Sequence, residues 1–299
     1  MEVAGRDARF ELRDGQVLEY WDGGDPEGRV MILHPGTPGT RVTGRWSHDA
    51  ACSAGVRLVA VNRPGYGGST TAAGQPSLRA TGRDTAALAA GLGVKGYAVC
   101  GLSGGGPFAV ATALADPEHV RALGVVAGVG PWRLLDDPSS LPEERACLAL
   151  LDAGDVTGAR DCMLGNAERD FQPLRALDDD GRVDAFMAQV GDHSSLIQDP
   201  GYRAIWAENM RLVLDRMDGY VFDNLAWGGA WDVDPSDVAA ATVLFYGDAD
   251  THCPPETHGR WYADRITDSE LVVFPGAVHL DAVDAHWPEV LAGLLRVWA

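Results

Sequence analysis

Short runs of consecutive apolar residues, each closed by a glycine- or proline-rich turn, punctuate the first 130 residues. Phe10 and Leu12, then Val17 and Tyr20, flank Asp14-Gly15, a hairpin signal. Val30-Met31-Ile32-Leu33 runs into the turn at 34–39. A helical stretch near 42–54 leads to Leu58-Val59-Ala60-Val61, which ends at Asn62-Arg63-Pro64-Gly65-Tyr66-Gly67-Gly68-Ser69. Ala86, Leu88, Ala89 and Leu92 have helical spacing and predict a helix near 77–91. A strand at Tyr97-Ala98-Val99-Cys100, a helix near 104–115 and a strand at Leu123-Gly124-Val125-Val126-Ala127 follow. Strands apolar on both faces, alternating with helices, predict a mostly parallel sheet with helices on both sides.

The rhythm stops at Gly130-Pro131. From there to about residue 235 only helical patterns occur. Strand character returns at Thr242-Val243-Leu244-Phe245-Tyr246 and at Leu271-Val272-Val273-Phe274, each followed by a helix, near 255–266 and 283–298. The expected organisation is one α/β core domain, residues 1–130 and 237–299, interrupted by an all-helical cap at 131–236.

Composition narrows the function. The chain has 299 residues, 46% of them hydrophobic, and a formal net charge of −19. The cap segment holds 21 of the acids against 9 arginines. Such a chain is a poor match for nucleic acid or an anionic membrane, both of which call for clustered cations. The start, Met1-Glu2-Val3-Ala4-Gly5-Arg6-Asp7, is charged and has no apolar leader core, and no apolar stretch approaches the ~20 residues that span a bilayer. A cytoplasmic protein is expected. The five cysteines (52, 100, 147, 162 and 253) are odd in number and scattered, which favours reduced thiols over disulfides. A homodimer is left open.

The chemistry centres on Gly101-Leu102-Ser103-Gly104-Gly105, a G-x-S-x-G sequence between a predicted strand and a predicted helix. In that context Ser103 sits on a sharp turn and is a candidate nucleophile. A serine hydroxyl needs a base. His279, in a loop after the last strand, is the candidate, because loops after the carboxyl ends of parallel strands gather at one edge. His34 also follows a strand and is assigned to shaping its loop; His48, His119, His193 and His286 fall in helical or linker contexts. Asp248 and Asp250 follow the Thr242–Tyr246 strand, and Asp250 is favoured as the acid that orients His279. Backbone N–H groups of Gly104 and Thr37, with Gly36 next, are the candidate oxyanion donors. Gly91-x-Gly93-x-x-Gly96 lies after a helix and before a strand, the reverse of a dinucleotide site, and reads as a helix stop. Lys95, the only lysine, falls inside it. Asp248, Asp250, His252, Cys253 and His258 lack a paired zinc spacing, so no metal and no cofactor is expected.

These segments together resemble the α/β-hydrolase superfamily. The elbow at 101–105 matches, as does Arg63-Pro64-Gly65-Tyr66-Gly67-Gly68-Ser69, which is similar to the family's R-P-G-x-G-x-S turn. Gly247-x-x-Asp250-x-x-x-Pro254 resembles its acid loop and favours Asp250 over Asp248; Gly276-x-x-His279 resembles its histidine loop. The resemblance implies a Ser103-His279-Asp250 acyl-enzyme mechanism and a helical lid at 131–236. The chain departs from the family at Pro35-Gly36, where many members have His-Gly and this one has His34 one place earlier. Members with aspartate as nucleophile cleave haloalkanes or epoxides, and Ser103 points away from them.

The expected function is therefore hydrolysis of a small-to-medium carboxylic ester or lactone, a small-molecule substrate enclosed by the cap, with Trp132, Trp206 and Trp227 as candidates for the pocket wall. The alternatives are an aminopeptidase of the proline-iminopeptidase type, whose oxyanion loop Thr37-Pro38-Gly39 resembles, a C–C bond hydrolase, and a non-hydrolytic binder or cyclase using the same pocket.

Overall fold

A computed structural model of the chain describes residues 5–13, 15–135, 142–189 and 195–298. Asp14 of the hairpin turn, residues 1–4 and His193 lie outside them. The eight strands are β1 (Arg6–Glu11), β2 (Val17–Gly24), β3 (Arg29–His34), β4 (Val56–Val61), β5 (Tyr97–Leu102), β6 (Val120–Val126), β7 (Ala241–Gly247) and β8 (Ser269–Phe274). They form one sheet in the order β1-β2-β4-β3-β5-β6-β7-β8. β1 and β2 are the predicted antiparallel hairpin, β2 also pairs antiparallel with β4, and all pairs from β4 to β8 are parallel.

Strand periodicity explains why the central runs are apolar throughout. Tyr97 and Val99 of β5 face one core cluster, whereas Ala98, Cys100 and Leu102 face another. In β7, Leu244 and Tyr246 join the first cluster, Val243 and Phe245 the second. With side chains alternating across the pleat, both faces need cover. Helices α2 (Leu78–Gly91) and α3 (Gly106–Ala115) cover the first face through residues such as Leu88 and Phe108. Helix α1 (His48–Ser53) and the C-terminal helix cover the second through Ala51, Leu291 and Leu294. The G-x-G-x-x-G segment is the stop of α2: Gly93 has φ +71° and Lys95 is exposed.

Between β6 and β7 the described elements are helical: α4 (Trp132–Leu135), α5 (Pro142–Asp152), α6 (Val156–Arg175), α7 (Asp179–Gln189), α8 (Pro200–Asp215) and α9 (Asp218–Gly228), with short 3₁₀ turns. They have two small cores of their own, one among α6, α7 and α8, the other joining α5, α6 and α9. After β7, the predicted helix near 255–266 divides into a π-helical turn, Pro255–Gly259, and α10 (Arg260–Ala263). The last predicted helix also divides, into the π-turn Asp281–Ala285 and α11 (Trp287–Val297). Pro288 sits in the first turn of α11, where its missing N–H costs nothing, but it disfavours helical backbone at the residue before it.

One expectation is corrected. Cys147 and Cys162 form a disulfide, 15 residues apart in sequence. Neighbouring helices α5 and α6, joined through residues 153–155, bring the two thiols together. Their spacing resembles no short cysteine motif, so the sequence did not flag them. Disulfides persist in oxidising surroundings, and the argument for a reducing compartment from scattered cysteines loses its support. Among the described residues no helix is long and apolar enough to cross a membrane.

Candidate active site

Strand β5 ends at Leu102, and the chain turns directly into a helical turn, Ser103–Gly105, that continues as α3. The turn requires φ +49° at Ser103, a left-handed conformation that L-residues avoid. Such strain survives only where the surroundings enforce it, and it clusters at functional sites. The flanking glycines show the enforcement. A Cβ on Gly101 would stand 2.3 Å from the Gly105 carbonyl oxygen, and one on Gly105 would stand 2.2 Å from that of His34. Any side chain at either position would push the elbow out of shape.

Because β5, β7 and β8 are parallel, their carboxyl ends share an edge, and the loops after them meet there. His279 Nε2 lies 3.0 Å from Ser103 Oγ, and His279 Nδ1 lies 2.8 Å from Asp250 Oδ2. Asp250 Oδ1 accepts the backbone N–H groups of His252 (2.8 Å) and Cys253 (2.9 Å). Burial by itself would raise the pKa of the Asp250 carboxyl; facing His279 and accepting these N–H groups, it is nevertheless held below the usual carboxylate value. Asp248 does not reach His279. It accepts the Gly276 N–H at 2.6 Å and so ties the acid loop to the histidine loop. His258 is buried and accepts the Gly130 N–H at 2.8 Å.

The loop after β3 packs against the elbow. A Cβ on Gly36 would be 3.5 Å from Ser103 Cβ, and one on Gly104 would be 2.4 Å from Thr37 Oγ1. Gly36, Thr37 and Gly104 all line the cavity above Ser103. The Gly104 N–H lies in a first helical turn, where N–H groups have no intrahelical acceptor. His34 is fully buried beneath the loop with Nε2 3.0 Å from Thr112 Oγ1; burial and the nearby Arg63 hold its pKa well below the ordinary histidine value.

Two residues to which the sequence assigned no role in the site hold this loop. Arg63 donates to the carbonyl oxygens of Pro35 and Gly36. It also makes a two-pronged ion pair with Asp223 of α9, Nε–Oδ1 2.8 Å and NH2–Oδ2 2.5 Å, with both side chains wholly buried. Asp223 Oδ2 further accepts the hydroxyls of Thr37 (2.7 Å) and Tyr66 (2.9 Å). Burial opposes charge on Arg63, yet Asp223 beside it raises its pKa, so the guanidinium stays charged. Arg63 was visible as part of the R-P-G turn. Asp223 had no signal: it is one acid among many in an acidic segment.

Above Ser103 lies a cavity of about 200 Å³. Trp132, Trp206 and Trp227 all line it, together with Phe186, Ile205 and Leu280. Trp132 meets Trp227 edge-on at 4.4 Å, and Phe186 stacks on Trp206 at 5.4 Å. The polar wall includes Asp284, which accepts the Tyr202 hydroxyl at 2.6 Å.

The alpha/beta hydrolase fold family matches this chain over residues 29–155. No protein of curated function matches it. Among solved structures it is similar to an esterase from Exiguobacterium antarcticum, at 17% identity over 98% of this chain and 100% of that one, TM-score 0.72. It is also similar to a thermophilic esterase from Thermogutta terrifontis, at 20% identity over 98% and 100%, TM-score 0.69. A proline iminopeptidase from Mycobacterium smegmatis matches at 19% identity over 98% of both chains, TM-score 0.66. With its mostly parallel eight-stranded sheet, its strand–Ser103–helix elbow and this match over residues 29–155, the chain has the fold of the α/β hydrolases.

Proposed function

We propose that the protein is a serine hydrolase that cleaves a small-to-medium carboxylic ester or lactone through an acyl-enzyme. One observation carries this reading: His279 bridges Ser103 Oγ and Asp250 Oδ2 at 3.0 and 2.8 Å, on the floor of a mainly apolar cavity. Ser103 Oγ attacks the acyl carbon as its proton passes to His279 Nε2. The carbonyl oxygen becomes an oxyanion, held by the N–H groups of Thr37 and Gly104. Collapse expels the alkoxide, which takes the proton from His279. Water then attacks the acyl-enzyme, giving a proton to His279, and collapse of that adduct frees the acid and restores Ser103. Asp250 stays ionised throughout, fixing the imidazole tautomer and steadying its positive charge.

Residues 131–236 act in this reading as a cap over a core of 1–130 and 237–299. Phe186, Trp206 and Trp227 come from it and exclude water from the acyl group. A cavity of about 200 Å³ is below the ~300–1,000 Å³ of drug-sized sites, which supports a compact substrate and not a polymer. Asp284 on the cavity wall supports a second reading, an aminopeptidase whose substrate amine meets that carboxylate.

The test is labelling by a fluorophosphonate probe, read by intact mass, on wild type, Ser103→Ala and His279→Ala. Mass added to wild type alone supports the activated serine; a panel of esters, lactones and prolyl naphthylamides then separates the two readings. No labelling of folded wild type would overturn the hydrolase reading in favour of a binder or cyclase.

A further inference from the structure

Helix α9 delivers more than Asp223 to the site. One turn on, Trp227 lines the cavity beside Ser103, Gly104 and Thr37. Its side chain is 6% exposed, and its indole Nε1 is buried with no hydrogen-bond partner among the described residues. A Cβ on Gly104 would stand 3.3 Å from that Nε1, so the donor lies against the residue that follows the nucleophile. Trp132 packs edge-on against the ring at 4.4 Å.

Buried indole N–H groups ordinarily find an acceptor. Trp231, the next tryptophan on the chain, has one, the Trp227 carbonyl oxygen at 2.7 Å. The indole N–H groups of Trp21, Trp261 and Trp287 also have no partner among the described residues, but none of these residues lines the cavity over Ser103. Among the described residues, only at Trp227 does an unpaired buried donor belong to a side chain that lines the cavity with Ser103 and Gly104.

We infer that Trp227 is a third donor of the oxyanion site, its Nε1–H donating to the acyl oxygen of the substrate alongside the N–H groups of Thr37 and Gly104. This rests on the hydrolase reading above. It makes the inserted helices part of the catalytic machinery. Asp223 docks α9 through Thr37 and Arg63, and the same helix carries Trp227, whose Nε1 lies beside Gly104. A catalytic residue of this kind stabilises the tetrahedral adduct more than the bound substrate, because negative charge develops on the oxygen only during attack.

The experiment compares wild type with Trp227→Phe, which keeps an aromatic ring against Trp132 and deletes the donor. A second variant carries β-(3-benzothienyl)alanine at 227, which keeps the bicyclic shape with sulfur in place of N–H. With p-nitrophenyl acetate, kcat should fall about 10²-fold, the low end for loss of one oxyanion donor, and KM should change little. A trifluoromethyl ketone, which forms a hemiketal oxyanion with the serine, should lose affinity by the same factor. Binding of the unreactive methyl ketone should not change. A kcat within threefold of wild type in the benzothienyl variant, or equal losses for both ketones, would overturn the inference. Fluorophosphonate labelling of wild type separates the two failures: labelled wild type with an unaffected variant refutes the role of Trp227 alone, whereas unlabelled wild type refutes the hydrolase reading itself.

Discussion

Replacing Asp223 with alanine probes the joint between the inserted helices and the site. Its carboxylate has no solvent exposure and accepts four hydrogen bonds from three residues: two from Arg63 and one each from Thr37 and Tyr66. The substitution leaves the Arg63 guanidinium buried with neutral acceptors and no counter-charge: the carbonyl oxygens of Pro35 and Gly36 and the Thr37 hydroxyl. Breaking a buried pair from one side costs about 3–5 kcal/mol. At roughly 2.1 cal/mol/K per residue of unfolding entropy, a 299-residue chain should lose about 5–8 °C in Tm. Removing both charges in Arg63→Met/Asp223→Leu should recover most of that loss, because paired removal leaves no isolated charge. Activity should not recover, since the carbonyls of Pro35 and Gly36 lose their donor and Thr37 Oγ1 loses its acceptor. Thermal unfolding of the wild type, both single variants and the double, with ester turnover on the same samples, completes the cycle. A loss under about 1 kcal/mol for Asp223→Ala, well short of the range for a broken buried pair, would refute the reasoning. So would full activity in the double variant.

Three further outcomes are expected. Asp250→Asn should fold normally and lose about 10⁴-fold in kcat. The Asp250 carboxyl is depressed in the folded state, so its stabilising contribution is complete above its unfolded pKa of about 3.9 and is lost only as pH falls through the lower folded value. The wild-type acid limb of kcat/KM should therefore show a single proton between about pH 8 and 5; a slope of two would contradict it. Gly105→Ala should abolish labelling of Ser103, because its Cβ would meet the His34 carbonyl oxygen at 2.2 Å; a labelled, active variant would show that the elbow is not sterically enforced. Reducing Cys147–Cys162, which closes a 15-residue separation, should cost up to about 3 kcal/mol of stability, read by thermal unfolding with and without reductant. Thiol titration before reduction of the unfolded chain should count Cys52, Cys100 and Cys253 only.

Local chemistry made much of this protein legible in its sequence. The strand–turn–helix alternation follows from apolar runs and glycine punctuation, because a strand buried on both faces has no polar alternation to lose. The elbow was legible because a left-handed serine between a strand and a helix needs glycines at fixed offsets. The helical character of the described elements between β6 and β7 and the likeness to α/β hydrolases were legible on the same grounds. What depended on contacts across the chain was not. Sequence favoured Asp250 over Asp248 through a loop motif, but only the meeting of the β7 and β8 loops put one carboxylate on His279 and the other on Gly276 N–H. Nothing near Asp223 distinguishes it from the other acids of its segment. Its partners are 157 to 186 positions away, and burial without solvent is what makes the pair matter. Cys147 and Cys162 likewise became a bond only when α5 and α6 packed together. Trp227 could be named from sequence as one aromatic among many; the direction of its N–H depends on how α9 docks, which is decided by tertiary packing and not by residue type.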